Sequence, residues 1–252
     1  MPRTLLILLL LATACRREVP VLLWHEVGCG TRDPRDVPAD EFERELSWLA
    51  DDGRTVVPAT ALLEPAKLPR KPVVVTFDDG AACIYRAAFP ILRRRGLPFT
   101  VFLPASWIGA DEAHRTTQPL GDGEQVPTMI WPELLEMGKS GLCTVGAHGE
   151  THLYLRRASE AELRRELVDA KAELSERLGS PVTLLAYPFG SFNRAVIAEA
   201  RKAGYREAFS VGVGLGGAFA YRRRSIHRGA DRAGFEEALS DRWIWPLLNH
   251  DP

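Results

Sequence analysis

Short apolar runs alternating with amphipathic segments constrain the fold of this chain more than any other feature. Val21-Leu22-Leu23-Trp24, Val73-Val74-Val75, Phe99 to Leu103, Leu142 to Val145, Val182 to Ala186 and Ala208 to Val211 each read as short strands. Between them lie helical patterns. Asp40 to Asp52 places Phe42, Leu46 and Leu49 on one face, with Asp40 and Glu43 spaced as a capping box and Gly53 as a stop. A second helix starts at Ser159, capped with Glu162. It repeats Leu163, Leu167, Ala170, Leu174 and Leu178 at helical spacing, and it stops at Gly179 and Pro181. Arg194 to Ala203, stopped by Gly204, is a third. This alternation predicts an α/β fold with a parallel sheet and helices outside it. In barrels of that type, chemistry sits just beyond the C-terminal ends of the strands. Motifs at those places therefore carry the most weight.

At 252 residues the chain suits one such barrel. A formal net charge of -1 provides no basic field to attract nucleic acid. The local clusters Arg93-Arg94-Arg95 and Arg222-Arg223-Arg224 read as a solvated helix end or strand edge. Met1-Pro2-Arg3 followed by the apolar run Leu5 to Leu11 reads as an export signal, too short to span a bilayer. Ala12-Thr13-Ala14-Cys15 resembles a bacterial lipoprotein cleavage site, which would make Cys15 a lipid anchor to the membrane. Residues 1–18 are thus expected to be a leader and 19–252 a single domain. Cys29, Cys83 and Cys143 form no CxxC pair and indicate no disulfide framework, though an oxidising compartment would allow one disulfide among them.

Thr76-Phe77-Asp78-Asp79-Gly80 follows the Val73 strand directly. Two adjacent carboxylates at a strand end raise each other's pKa unless a cation offsets one of them, which leaves the other free to act as a base. Asp-Gly also marks ordinary turns, and Asp51-Asp52-Gly53 at a helix end reads as one. Gly146-Ala147-His148-Gly149-Glu150-Thr151-His152 follows the Leu142 strand. Histidines four apart can face the same way on one helical turn and converge on an ion. Two His and one carboxylate leave a coordination position open, as catalytic zinc sites do, where a bound water is acidified toward ~7. Ala186-Tyr187-Pro188-Phe189-Gly190 and His25 also lie at strand ends, but each is weak alone. A single partly buried histidine is the plainer reading of His25. Trp107, Trp131 and Trp243 could stack on sugars, with core packing as the alternative. His114 and His250 show no partner, and Gly212 to Gly217 reads as a loop.

Together these residues resemble the polysaccharide deacetylase family, the NodB-homology carbohydrate esterases. Thr76 to Gly80 matches the family's first motif, His148 and His152 its His-x-x-x-His motif, and Tyr187 to Gly190 its Pro-aromatic motif. The branch most similar contains exported deacetylases of poly-N-acetylglucosamine biosynthesis. The resemblance implies a distorted (β/α) barrel of about seven parallel strands, working in the cell envelope or periplasm on an acetylated polysaccharide. It implies a divalent metal, Zn2+ foremost, on Asp79, His148 and His152, with Asp78 as general base. It gives the Phe189 N–H an oxyanion role and places Tyr187 and Pro188 against substrate. The order of motifs makes His25 the catalytic acid, with His227 as the competitor. One departure stands out. The Pro-aromatic motif usually begins with an Arg that orients the base, and this chain has Ala186 there. An O-acetyl esterase, a non-catalytic carbohydrate-binding module and a purely structural metal site are the rival readings.

Overall fold

A computed structural model describes residues 18–120, 123–212 and 217–240. Residues 1–17, with Cys15 among them, residues 213–216 of the glycine-rich stretch, Trp243 and His250 lie outside the described residues. Seven parallel strands form the barrel: β1 (Val21–Trp24), β2 (Pro72–Phe77), β3 (Phe99–Leu103), β4 (Cys143–Ala147), β5 (Leu184–Ala186), β6 (Glu207–Val211) and β7 (Tyr221–Ser225). Each pairs with its sequence neighbours, and β1 closes the ring by pairing with both β2 and β7. The pairing is uneven. β3 and β4 match along their whole length, from Phe99–Cys143 to Leu103–Ala147, whereas β4 and β5 meet only at Ala147–Leu185. That thin seam is the distortion of the barrel.

β1, β2 and β3 are largely apolar on both faces because each faces two cores. Val21, Val74, Phe102, Leu184, Ala186 and Phe209 fill the interior, with the rings of Phe102 and Phe209 5.3 Å apart. Leu22, Trp24, Val73, Val75 and Phe77 point outward under the helices. Alternate residues go to opposite faces, as the two-residue strand period requires. The helices are α1 (Ala39–Asp51), α2 (Phe89–Arg95), α3 (Trp131–Lys139), α4 (Glu160–Arg164), α5 (Ala170–Leu178), α6 (Arg194–Lys202) and α7 (Arg232–Ala238).

Several expectations are corrected. α1 does bury Phe42, Leu46 and Leu49, but Pro38 stands at its N-cap without a side-chain cap. Asp40 lies inside the first turn, where a carboxylate still favours the positive helix end. The Ser159–Glu162 capping box is present. The helix it starts is interrupted, because a π turn at Arg165–Asp169 separates α4 from α5. Arg222-Arg223-Arg224 is not a solvated edge. It lies in the closing strand β7, where Arg223 is 0% and Arg224 1% exposed. A run of three arginines hides a strand from any periodicity argument, and only the buried partners explain it. Arg224 donates to Ala238 O at 2.7 Å. His114 has a partner, with Nδ1 2.7 Å from Asp111 Oδ1. Trp131 packs into the core, as its plainer reading had it.

Candidate metal centre and active site

The rim above the C-terminal strand ends gathers Asp78 and Asp79 after β2, His148 and His152 after β4, and Phe189 after β5. Asp79, His148 and His152 each offer a ligand atom, and the three atoms lie within 4.8 Å of one another. Asp79 Oδ1 is 3.5 Å from His148 Nε2 and 3.3 Å from His152 Nε2. Ligand atoms ~2.1 Å from a tetrahedral zinc ion stand roughly 3.4 Å apart. Asp79 Oδ1 is buried and has no hydrogen-bond partner, as an oxygen reserved for a cation would be. The residues present therefore fit a divalent ion.

The surroundings aim these ligands. His148 Nδ1 lies 2.8 Å from Ala186 O. An N–H donated there leaves Nε2 with its lone pair facing Asp79. Burial holds the His152 imidazole down at about 3, so it is neutral and able to ligate at neutral pH. The histidines do not share a helical turn. His148 ends an extended segment and His152 sits in a loop at φ 62°. Glu166, in the π turn, holds that loop by accepting from Glu150 N at 2.8 Å, Thr151 N at 3.0 Å and Thr151 Oγ1 at 2.5 Å. A Cβ at Gly149 would stand 2.5 Å from Glu166 Oε2, so only glycine lets the carboxylate in. π turns recur at functional sites, and here one delivers a buried acid to a ligand loop.

Asp79, His152 and Phe189 are three of the four non-glycine residues with positive φ among the described residues. Such backbone costs of order 1–3 kcal/mol per residue and persists where the surroundings over-determine it.

The neighbouring acid is held quite differently. Arg223, reaching from β7, donates to both oxygens of Asp78 at 2.6 Å each. Burial alone would raise the Asp78 carboxyl, but the Arg223 charge and its two hydrogen bonds outweigh it and hold the group down at about 2. The two adjacent aspartates are thus separated, with Asp79 facing the ligand set and Asp78 clamped by a guanidinium. Arg223 was missed in the sequence. The one signal available was the departure at Ala186, which implied that the orienting cation had to come from elsewhere.

His25 follows Trp24, which pairs with Phe77, and Asp78 N donates to Trp24 O at 3.2 Å. This pairing sets His25 beside Asp78. Its Nδ1 is buried without a partner. Burial lowers the His25 imidazole to about 4, against the upward pull of Asp79 and Asp78. His227 is exposed, and the charges acting on it are those of Arg35 and Asp33 rather than the two site aspartates. Tyr187 and Pro188 do not present side chains to a ligand. Tyr187 is 0% exposed and donates its hydroxyl to Phe219 O at 3.1 Å, and Pro188 is buried. The exposed ring of this loop is Phe189, stacked on Tyr154 at 3.8 Å and 4.4 Å from the His152 ring. Trp107 is partly buried with its ring 5.1 Å from that of His152, so it borders the ligand set.

Known proteins share both sequence and fold with this chain. A Bacillus subtilis relative, YxkH, is 28% identical over 193 residues, spanning 75% of this chain and 63% of that protein. The poly-β-1,6-N-acetyl-D-glucosamine N-deacetylase of Staphylococcus aureus is 26% identical over 190 residues, spanning 69% of this chain and 61% of that protein. The chain thus covers less than two thirds of the length of these relatives. The crystal structure of a polysaccharide deacetylase from Bacillus cereus superposes with a TM-score of 0.73 at 25% identity, covering 88% of this chain and 69% of that one. IcaB from Ammonifex degensii superposes at 0.66 with 25% identity, covering 90% and 97%. The family model described as polysaccharide deacetylase matches residues 66–208, more than half of the sequence, and the chain belongs to that family.

Proposed function

We propose that the protein is a metal-dependent hydrolase that removes N-acetyl groups from a polysaccharide containing N-acetylglucosamine. The observation that carries this reading is the division of labour between adjacent acids. Asp79 Oδ1 is unpartnered beside two imidazole Nε2 atoms, while both oxygens of Asp78 are held by Arg223. Asp79, His148 and His152 would hold a divalent ion, Zn2+ by the ligand set, which would supply Lewis acidity at this site.

The remaining steps belong to this chain's own residues. Asp78 takes the proton of the attacking water, and Arg223 keeps the carboxylate ionised and aimed. The N–H of Phe189, in its left-handed turn, helps hold the oxyanion; removing one such donor typically costs about 10²–10³ in rate. His25 delivers a proton to the leaving amine, which is too basic to depart alone. Because burial keeps His25 neutral at pH 7, it must acquire that proton within the catalytic cycle.

Only the reacting sugar, N-acetylglucosamine, is taken from the staphylococcal relative, a poly-β-1,6-N-acetyl-D-glucosamine N-deacetylase by name. Export is supported from within the fold. Cys29 and Cys83 form a disulfide, and such bonds persist in oxidising compartments such as the periplasm or cell surface. Residues 1–18 would direct that export, with Cys15 as a lipid anchor.

The test is acetate release from a panel of N- and O-acetylated glycans, with and without chelator, for the wild type and Asp78→Asn. The expected result is chelator-sensitive release from N-acetylglucosamine polymers, with the variant binding metal but not turning over. Chelator-insensitive activity would sink the metal mechanism, activity in the variant would sink the base, and release from O-acetyl esters alone would identify an esterase.

A further inference from the structure

Among the described residues, Tyr154 and Phe189 are the exposed large hydrophobic side chains, at 40% and 48%. They are not scattered. Their rings stack at 3.8 Å with planes 5° apart, making one two-ring slab, and Phe189 carries it to within 4.4 Å of the His152 ring. The slab therefore shares an edge with the ligand set. It forms a wall of a groove of about 680 Å3 whose other lining includes Arg156, Arg157, Ser191 and Phe192. Arg156 N donates to the Ser191 hydroxyl at 3.2 Å, which ties the two sides of the groove together. The Arg157 guanidinium lies over the Tyr154 ring at 5.5 Å. Both arginines are exposed, and among the described residues neither has an ion-pair partner.

Each half of this arrangement has its own use. Partly exposed rings in a rigid stack offer a sugar an apolar contact edge at the low entropic cost of rigid side chains. Unpaired guanidiniums offer planar two-point recognition of a carboxylate or phosphate. Together they fit a sugar that carries a negative charge.

We propose that this groove is a subsite for the sugar next to the one being deacetylated, and that it takes a residue bearing an anionic substituent, a carboxylate or a phosphate. The slab fixes the ring, and Arg156 with Arg157 binds the anion. This narrows the substrate class from any N-acetylglucosamine polymer to one with charged neighbours, and it rests on the deacetylase reading only for which sugar reacts.

The test uses metal-loaded protein and matched oligosaccharides whose residue beside N-acetylglucosamine is neutral, uronate-bearing or phosphate-bearing. Two quantities are read for each: binding by calorimetry and kcat/KM by acetate release. Both anionic forms should exceed the neutral one by about tenfold at low salt, the preference shrinking as salt rises. Comparing the uronate and phosphate arms identifies the native anion. In Arg156→Gln/Arg157→Gln the ratio of anionic to neutral should fall to near one, and Tyr154→Ala should weaken all three ligands. Equal binding of neutral and anionic ligands by the wild type, or an unchanged ratio in the double variant, overturns the subsite. Arginine-dependent anionic binding without acetate release would uphold the subsite and overturn the deacetylase reading instead.

Discussion

Arg223 and Asp78 form the pair on which the proposed chemistry depends. A buried carboxylate without a cation would be pushed up in pKa, and would hold its proton where a base needs to have lost it. The two-point contact at 2.6 Å prevents this and fixes the carboxylate plane. Arg223→Gln should therefore move the acidic limb of the kcat profile to higher pH and lower kcat. It should also cost on the order of 3–5 kcal/mol of stability, because it breaks a buried ion pair. Arg223→Lys should rescue little, since a point charge cannot make the fork. A pH–rate profile and a denaturant melt on each variant check this. An unmoved acidic limb in Arg223→Gln would show that Arg223 serves packing alone.

At the scale of elements, two loops do the work, and both are tied at each end. β1 and β2 pair up to Trp24 and Phe77, then diverge with His25 on one chain and Asp78 and Asp79 on the other. Four residues beyond His25 and Asp79 respectively, Cys29 and Cys83 join them again, with Cα atoms 5.2 Å apart. The bridge closes a separation of 54 residues, and in the chain-entropy account such a crosslink contributes roughly 2–4 kcal/mol. Cys29→Ser/Cys83→Ser should lower the melting temperature. At temperatures where the variant stays folded, it should lower kcat more than it changes KM, because the loops carrying His25 and Asp78 lose their common anchor. Melting curves and acetate-release kinetics on the variant, and on wild type treated with reductant, read both effects. Full kcat in the folded, reduced protein would limit the bridge to a stabilising role. The other loop, from His148 to His152, is tied by Glu166 from the π turn and by Ala105 N and Ser106 N, which donate to Gly149 O and Glu150 O.

For the whole molecule, stability should depend on pH through groups outside the cluster of Asp79, His148 and His152. Glu45 of α1 is buried and accepts from Trp24 Nε1 at 3.0 Å, and burial raises its carboxyl to about 8. The folded state then holds a proton that the unfolded state has released, so stability falls as pH rises from about 4.5 to about 8. The slope is about 1.4 kcal/mol per pH unit for one group. Glu45→Gln keeps an acceptor for Trp24 and removes the titration. Melts across pH 5 to 9 should show a flatter decline than wild type, and an unchanged slope would rule Glu45 out as the source.

What the sequence determined by itself was whatever is written in contiguous residues. Strand-length apolar runs separated by helical patterns imply a parallel sheet with helices outside it, and the motifs at strand ends bring Asp78, Asp79, His148 and His152 to one rim. Those four were legible because each pair is close in the chain and each follows its strand directly. The tertiary structure decided the partners. Arg223 lies 145 residues from Asp78, and three consecutive arginines look solvated until barrel closure sets β7 beside β1. Glu166 was hidden inside a helical repeat, because a π turn leaves no mark on hydrophobic periodicity. Tyr187 belongs to the same motif as Phe189, yet the left-handed backbone at Phe189 accompanies a buried ring on one and an exposed ring on the other. Local sequence carries periodicity and capping. Which charge neutralises which, and which ring meets solvent, depends on neighbours that only the closed barrel supplies.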